Sequence, residues 1–339
     1  MPSIPLIRGR YIRSFLQVMD RQGVCPRPLL DRHGIPDAAL VDPDAVHPAH
    51  QLWAFAADAA RHTGLVDLGL RAGWAGLASH GAFGARVAES PTLREALDAF
   101  CADARQEYSR AVFRIATEGS TAWFIREPID GDPEEKLQVE LYVVALMLQT
   151  VRLAAGSDWL PRQIRLQSED RPGLADAESL SRLDVCFGCP TTAIPIPQRL
   201  LASSLVWGSH RRRPPEPAPV QDPSPLPADF LGSLKQLLAT YLTDGPPRIE
   251  VVAKAARCSV RTFQRRLHTA GVCYSRLIEE VRLSAAAERL RAPGPRLVDI
   301  AFDAGYSDQA NFTRAFRRWA GVPPSQFRRL ALQQPTSAR

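Results

Sequence analysis

The feature that most constrains the fold is a segment of about 20 residues that occurs twice near the end of the chain. Each copy has a short Ala-rich stretch, a tight turn, a second stretch beginning with Ser, and a Gly that ends it. The copies span residues 252–272 and 300–322, with matching positions 48 to 50 residues apart. A repeat of this kind is one supersecondary unit, and two short helices joined by a turn can place the second helix in a DNA major groove. The pattern predicts two helix-turn-helix units.

Each second helix has a predicted N-cap and an apolar stripe. Ser259 and Ser307 are the predicted N-caps, because a serine oxygen can accept from the free N–H groups of the first turn. Each stripe contains two apolar residues four positions apart, namely Phe263 with Leu267 and Phe312 with Phe316.

The opposite face of each predicted helix carries side chains that suit base edges. Arg can bind guanine through two hydrogen bonds, and Asn or Gln can bind adenine in the same way. A solvated charged face is the alternative, but the repeat, the caps and the turns together favour base contacts. The predicted DNA-binding residues are Arg261, Gln264, Arg265, Gln309, Asn311, Thr313 and Arg314.

The second copy also resembles a family signature. Residues 300–328 read IAFDAGYSDQANFTRAFRRWAGVPPSQFR, and residues 229–330 resemble the DNA-binding domain of AraC/XylS-family transcriptional regulators. The resemblance implies an all-α double helix-turn-helix domain of about seven helices, with a long central helix at about Tyr274–Arg291. It also implies two recognition helices in neighbouring major grooves. No base sequence is implied, because family members vary in the first recognition helix.

The positive charge is concentrated in the same part of the chain. The whole chain of 339 residues has a net charge of +6. From Pro225 onward, 18 Lys and Arg stand against 9 Asp and Glu, a charge of +9, whereas the preceding residues have 24 against 27, or −3. A basic domain neutralises phosphates and releases counterions, so the charge distribution supports DNA binding by the C-terminal part alone.

Length and composition favour two globular domains and a linker. We predict a ligand-sensing and dimerisation domain over residues 1–207, a Pro-rich linker over 208–228, and the DNA-binding domain over 229–339. Seven prolines between Pro214 and Pro227 favour an extended, semi-rigid linker. The basic run at 211–213 is compatible with a solvated linker or with a phosphate contact.

The N-terminal part has the pattern of an α+β domain that is mostly helical with a small sheet. Thr92 and Glu95 have the spacing of a capping box at the start of a helix. Alternating apolar residues on both sides of Gly119 indicate a hairpin. Predicted helices cover residues 11–22, 27–33, 46–62, 92–108, 133–155 and 177–183. Predicted strands cover residues 111–117, 121–127, 163–167 and 193–196.

This N-terminal part resembles the sensing domain, called arabinose-binding, of the ornithine- and arginine-type regulators in the same family. The resemblance depends on the hairpin, on the helix start at residues 91–97 and on the loop at 187–190. The helical pattern differs from the all-β barrel of the arabinose regulator, so arabinose is not implied. We expect an effector pocket between the helices and the hairpin, walled by apolar residues from 111–127 and 137–151. The sequence does not single out individual effector-binding residues.

The sequence lacks the motifs of other kinds of functional site. The chain has no Gly-rich phosphate loop, no nucleophile elbow and no HExxH sequence, so we predict no enzyme activity and no cofactor. Cys186 and Cys189 form a CxxC without a second pair of ligands, and we interpret both as packing residues. The histidines at 47, 50, 62 and 80 lack metal spacing, so no metal site is predicted. The most apolar stretch, Leu141–Leu153, is too short to span a bilayer, which predicts a cytoplasmic, nucleoid-associated protein.

Together these features predict a sequence-specific transcription regulator, with activation by a ligand following from the family resemblance. The expected partners are double-stranded promoter DNA, a small-molecule effector, a second copy of the chain and RNA polymerase, with no membrane. A repressor and an effector-independent architectural protein are the alternatives. The architectural alternative is disfavoured because a folded domain of about 205 residues is not needed merely to hold DNA.

The charge distribution generates a first prediction. A fragment of residues 225–339 should bind duplex DNA with an affinity that falls as salt rises, because phosphate contacts release counterions. Four such contacts would lower the association constant about tenfold for each doubling of salt. Fluorescence anisotropy across a salt series measures this slope, and a flat response would contradict the charge argument.

Overall fold

A computed structural model describes residues 2–129, 131–170, 172–174, 177, 180–205, 224–242, 245–292 and 294–333. These residues fall into two compact units, each described here by itself. The N-terminal unit contains the described residues from Pro5 to Ala228, and the C-terminal unit contains residues 2–4 with those from Asp229 onward. The basic run at 211–213 and the predicted linker residues 208–223 lie outside the described residues.

The N-terminal unit is an α+β unit, as predicted. Its helices are α1 (Arg10–Arg21), α2 (Arg27–His33), α3 (Ala38–Val41), α4 (Ala49–Thr63), α5 (Leu68–Gly73), α6 (Gly81–Ala88), α7 (Leu93–Glu107) and α8 (Pro133–Ala155). Its strands are β1 (Leu6–Arg8), β2 (Val46–Pro48), β3 (Phe113–Glu118), β4 (Thr121–Arg126), β5 (Gln163–Arg165), β6 (Asp184–Cys186) and β7 (Thr192–Pro197). Short 3-10 helices cover Leu77–His80 and Gln198–Ala202.

The strands form one small sheet of five and a separate pair. The five-stranded order is β3-β4-β7-β5-β6, and β1 pairs with β2. The hairpin of β3 and β4 is confirmed, with Gly119 at φ +57 in its turn. β7 lies antiparallel to β4, so that Phe124 faces Ile194 across the ladder. The sheet thus presents one apolar face to the helices.

The long helix α8 lies at the centre of this unit. Asp132 caps it by accepting from Glu134 N, and Pro133 occupies its first turn. By length and composition α8 resembles a membrane-spanning helix, but 78% of its most apolar 18-residue window is buried inside the protein. It is therefore a core helix that needs partners on all sides.

Helix α5 provides one of those partners through two glycines. A Cβ added at Gly69 would lie 1.8 Å from the carbonyl oxygen of Gln138, and one at Gly73 would lie 2.6 Å from Ala145 Cβ. The Gln138 side chain spans the contact, accepting from Gly69 N at 2.7 Å and donating to Val66 O at 2.9 Å. Glycine is required here because the two helices approach with no room for a side chain.

Two sequence predictions of elements are wrong. Residues 46–48 of the helix predicted at 46–62 form β2, because Pro48 fixes its own φ and favours an extended residue before it, so that the helix starts at Ala49. The helix predicted at 177–183 is absent from its described residues, where 180–182 form turns. β1, β2, β6 and α5 are short elements that periodicity did not reveal. The strand predicted at 163–167 ends earlier, at Arg165.

All regular elements of the C-terminal unit are helices among its described residues, apart from an isolated bridge between Pro2 and Asp229. Its seven helices are α9 (Phe230–Tyr241), α10 (Ile249–Ala255), α11 (Val260–Thr269), α12 (Tyr274–Arg291), α13 (Leu297–Asp303), α14 (Gln309–Ala320) and α15 (Pro324–Gln333). The all-α class and the long central helix, α12, are as the family resemblance implied. Residues 2–4 lie against α9, where Ile4 N donates to Ser233 Oγ at 3.0 Å and the Ile4 side chain is buried.

Aromatic residues form the core of each helix-turn-helix. In the first half, the Phe263 ring lies 6.1 Å from those of Phe230 and Tyr274. In the second half, the rings of Phe312 and Phe316 are 5.6 Å apart and both are fully buried. The second core also includes Leu283, Ala286, Ala287 and Leu290 of α12. Helix α12 therefore supports both halves.

The buried His47 in β2 generates a prediction about pH. Both of its ring nitrogens lack a hydrogen-bond partner among the described residues, and burial lowers the pKa of His47 from 6.5 to about 4. Between these two values the unfolded chain binds more protons than the folded one, so this histidine lowers stability as pH falls from about 6.5 towards 4.

The variant His47→Leu lacks this penalty. Its loss of unfolding free energy between about pH 7 and about pH 5 should be smaller than that of the wild type by about 2 kcal/mol. Urea unfolding of both proteins at the two pH values measures the difference. Equal losses would show that His47 does not titrate in this way.

Candidate nucleic-acid interface and cavity

The two helix-turn-helix units have the same turn. Arg257 has φ +50 in the first turn and Gly305 has φ +78 in the second, so both occupy the left-handed region. One hydrogen bond closes each turn, from Cys258 N to Ala253 O and from Tyr306 N to Ala301 O, both at 3.0 Å. The repeat is therefore structural, and it places a non-glycine residue, Arg257, in a strained position that glycine occupies in the second copy.

The N-cap prediction is correct for the first recognition helix and wrong for the second. Ser259 Oγ accepts from Thr262 N at 3.2 Å, as predicted. In α14 the cap is Asp308 rather than Ser307, and its Oδ1 accepts from Asn311 N at 2.7 Å. This hydrogen bond lowers the pKa of Asp308 and keeps it ionised at the positive end of the helix. A carboxylate one residue further along was thus the better acceptor.

Helix α11 presents the predicted face to solvent. Arg261, Gln264 and Arg265 are exposed, whereas Phe263 and Leu267 are buried. None of the three exposed side chains makes a hydrogen bond or ion pair with another described residue. Their donors are therefore available to an external partner.

The face of α14 is held by a chain of hydrogen bonds. The Asn311 amide donates to the Asp308 carboxylate, and the Arg314 guanidinium donates to Asn311 Oδ1. Gln309 is exposed, and the half-buried Thr313 donates its hydroxyl to Gln309 O at 2.7 Å. Asn311 and Arg314 would have to exchange these contacts for base edges. Asp308 thus both caps the helix and orients its polar face.

A cavity in the N-terminal unit lies between α1, α7, α8 and the hairpin. The volume of this cavity is about 30 Å³. The predicted walls contribute Ala111, Phe113, Arg126, Val139, Val143 and Leu146. A cavity thus lies at the predicted position, and its role as the effector pocket stays a prediction.

Arg126 is the charged residue in that cavity wall. It ends β4 on the same face as Ala122 and Phe124, and it is only 3% exposed. Its Nε and Nη1 have no hydrogen-bond partner among the described residues. Its guanidinium lies 5.8 Å from the Phe113 ring centre, and burial lowers the pKa of Arg126. Sequence reasoning missed this residue, although the two-residue period of β4 already placed it on the apolar face.

A buried polar cluster lies beside the cavity. His80 Nε2 lies 3.0 Å from the Tyr142 hydroxyl, and His80 Nδ1 lies 3.5 Å from Glu107 Oε2. Glu107 also lies 3.6 Å from Arg10 Nε. These partners hold the inner wall in place.

The described residues offer no metal site. No group of three His, Cys, Asp or Glu there could hold a metal ion. Cys186 and Cys189 have their sulfurs 3.5 Å apart at the end of β6, and both are free thiols.

Both units match known protein families. Residues 23–205 match the family described as the arabinose-binding domain of AraC transcription regulator, N-term. Residues 252–330 match a helix-turn-helix domain family. The first match alone covers more than half of the chain. The chain belongs to the AraC family of transcription regulators. It is a DNA-binding transcription regulator with an N-terminal ligand-binding domain.

Individual relatives of this AraC-family regulator differ in how much of it they match. The HTH-type transcriptional regulator VirS of Mycobacterium tuberculosis H37Rv is 26% identical over 342 residues, covering 95% of this chain and 96% of VirS. The ornithine utilization regulator of Pseudomonas aeruginosa is 35% identical over 82 residues, only 24% of each chain. The crystal structure of the transcriptional regulator CdpR from Pseudomonas aeruginosa covers 94% of this chain and 98% of its own, at 20% identity and a TM-score of 0.42.

The corrected N-cap generates a prediction with a matched control. Asp308→Ala should destabilise the start of α14 by about 1 kcal/mol, because the first-turn N–H groups lose their acceptor. Ser307→Ala should have a much smaller effect. Hydrogen–deuterium exchange of peptides covering α14 compares the two variants with wild type. Faster exchange in Ser307→Ala than in Asp308→Ala would restore the original assignment.

Proposed function

We propose that this AraC-family regulator reads promoter DNA by inserting α11 and α14 into neighbouring major grooves. The observation that carries the proposal is the duplicated arrangement of a capped helix, a buried aromatic stripe and an exposed face of Arg, Gln and Asn. The proposed base-reading residues are Arg261, Gln264, Arg265, Gln309, Asn311, Thr313 and Arg314.

Matching positions in the two helices support equivalent roles for two arginines. Phe263 and Phe312 are buried equivalents 49 residues apart, and Arg265 and Arg314 have the same separation. Since the buried faces are equivalent, the exposed arginines point from the same position of each helix. A guanidinium there suits the O6 and N7 acceptors of guanine.

The ligand-binding domain makes regulation by a small molecule the natural mechanism. An effector controls DNA binding or activation only if it binds one arrangement of the protein better than another. We propose that the protein acts as an activator and a homodimer that contacts RNA polymerase, in the cytoplasm and on the nucleoid. The proposal assigns it no catalysed reaction. Arabinose is not the proposed effector, since the cavity is lined mainly by aromatic and aliphatic side chains.

Base readout is tested with Arg265→Ala and Arg314→Ala in the full chain. Each should cost about 1–3 kcal/mol on the preferred site and relax the preference at one base pair. The two affected base pairs should lie roughly 10 base pairs apart, one helical turn. Binding to a library of systematically substituted promoter fragments measures both effects.

Lys235→Ala is the control for simple loss of charge. Lys235 lies on α9 and pairs with Glu280 at 2.5 Å, outside both recognition helices. This variant should leave the sequence preference unchanged. If both arginine variants lowered binding equally on every sequence, they would be phosphate contacts and the assigned readout would be wrong.

A further inference from the structure

The cavity of the N-terminal unit offers hydrogen-bond donors without acceptors of their own. Arg126 contributes Nε and Nη1, and Trp53 contributes its indole Nε1. All three atoms are buried and lack a partner among the described residues, and both side chains line the cavity. Guanidinium and indole N–H groups can only donate. The complementary ligand group is therefore one that only accepts.

Because Arg126 is positively charged, we expect the complementary ligand group to be an anion. No described carboxylate forms an ion pair with this guanidinium. The carboxylate of Glu140 attracts Arg126 electrostatically, but its hydrogen bonds go elsewhere: it accepts from Gln167 N at 2.6 Å, from Ser168 N at 3.0 Å and from the hydroxyls of Ser168 and Thr192. A buried charge without a counterion is costly, and such charges in proteins are normally paired. A bound anion would supply the missing partner.

The geometry of an arginine favours a carboxylate among organic anions. The guanidinium is planar and can hold both oxygens of a carboxylate through two parallel hydrogen bonds. Nε and Nη1 belong to different edges of the guanidinium, each shared with Nη2, so a carboxylate can approach along either edge.

The rest of the wall is apolar apart from Tyr11 and Tyr108, so it favours a ligand whose body is mainly apolar. Aromatic rings of Trp53, Phe83, Phe100 and Phe113 surround the space together with Val139 and Leu146. A sugar or a polyamine would leave polar groups unpaired against these surfaces. The cavity volume of about 30 Å³ is smaller than one aromatic ring, so the ligand must be compact and the wall must move apart to admit it.

We infer that the effector of this regulator is a compact apolar monocarboxylate, whose carboxylate pairs with Arg126 while its hydrocarbon part packs against the aromatic wall. This inference rests on the proposed function in one respect, namely that the molecule bound at Arg126 is the regulatory effector. It gives Arg126 the role of the specificity-determining residue.

The test measures binding of matched acid and amide probes to the full-length protein. Benzoate and hexanoate are compared with benzamide and hexanamide by isothermal titration calorimetry. The amides keep the size and shape of the acids but lack the charge, so they should bind roughly 10- to 100-fold more weakly. The two acids distinguish an aromatic from an aliphatic body. If neither acid binds, or if each amide binds as tightly as its acid, the inference is overturned.

Three variants separate recognition from structure. Arg126→Met should abolish acid binding and raise the melting temperature of the ligand-free protein, because it removes an uncompensated buried charge. Arg126→Lys keeps the charge without the two-pronged geometry and should bind the acids with intermediate affinity. Arg114→Met is the control: Arg114 lies on β3 of the same hairpin, is exposed, and pairs with Glu127 at 2.6 Å outside the cavity.

The control variant should bind both acids as the wild type does. If Arg126→Met bound the acids like the wild type, or if both Arg126 variants had lower melting temperatures than the wild type, Arg126 would be a structural residue and the inference would fail. Binding of the same proteins to promoter fragments is measured in parallel. If the wild-type protein binds promoter DNA but neither acid, only this inference is overturned. If the wild-type protein shows no sequence-specific DNA binding, the proposed function is overturned.

Discussion

The N-terminal unit depends on the burial of one helix that is apolar on nearly every side. Such a helix is stable in water only if other elements cover it completely. Helix α5 covers α8 through Gly69 and Gly73, where the backbones approach too closely for any side chain. Glu140, on the side of α8 away from α5, bonds to the sheet region, and Val139, Val143 and Leu146 between these two sides wall the cavity. The position of the cavity thus follows from the way α8 is enclosed.

The N-terminal unit contains two buried charged residues, one with hydrogen-bond partners and one without. Glu140 on α8 accepts hydrogen bonds from residues 167, 168 and 192, so it ties the helix to the sheet region. Arg126, on the neighbouring strand, has two donors without a partner among the described residues. A satisfied buried charge stabilises one arrangement, whereas an unsatisfied one costs stability unless a ligand completes it. This contrast is why Arg126, rather than Glu140, is the residue that we propose binds the effector.

The C-terminal unit is organised differently, because it contains the helix-turn-helix motif twice. The turns at Arg257 and Gly305 have the same hydrogen bond, and the aromatic stripes of α11 and α14 are both buried. Helix α12 packs with both halves, so the recognition helices are held by one continuous element. Rigid positioning leaves the polar faces of α11 and α14 as the parts that vary without loss of the fold.

Features that depend on local chemistry were determined by the sequence alone. These include the helix-turn-helix repeat, the capping box of Thr92 and Glu95, the hairpin around Gly119 and the long helix α8, because caps, turns and periodicity act over a few residues. Short pairings such as β1 with β2 could not be predicted, since three-residue strands have too little pattern and depend on distant partners. Asp308 rather than Ser307 is the N-cap because α14 starts at Gln309, and only the structure showed that start. Likewise, the sequence placed Arg126 on an apolar face, but only the tertiary structure decided that no neighbour would pair with it, because partners for a buried charge come from elements far apart in the chain.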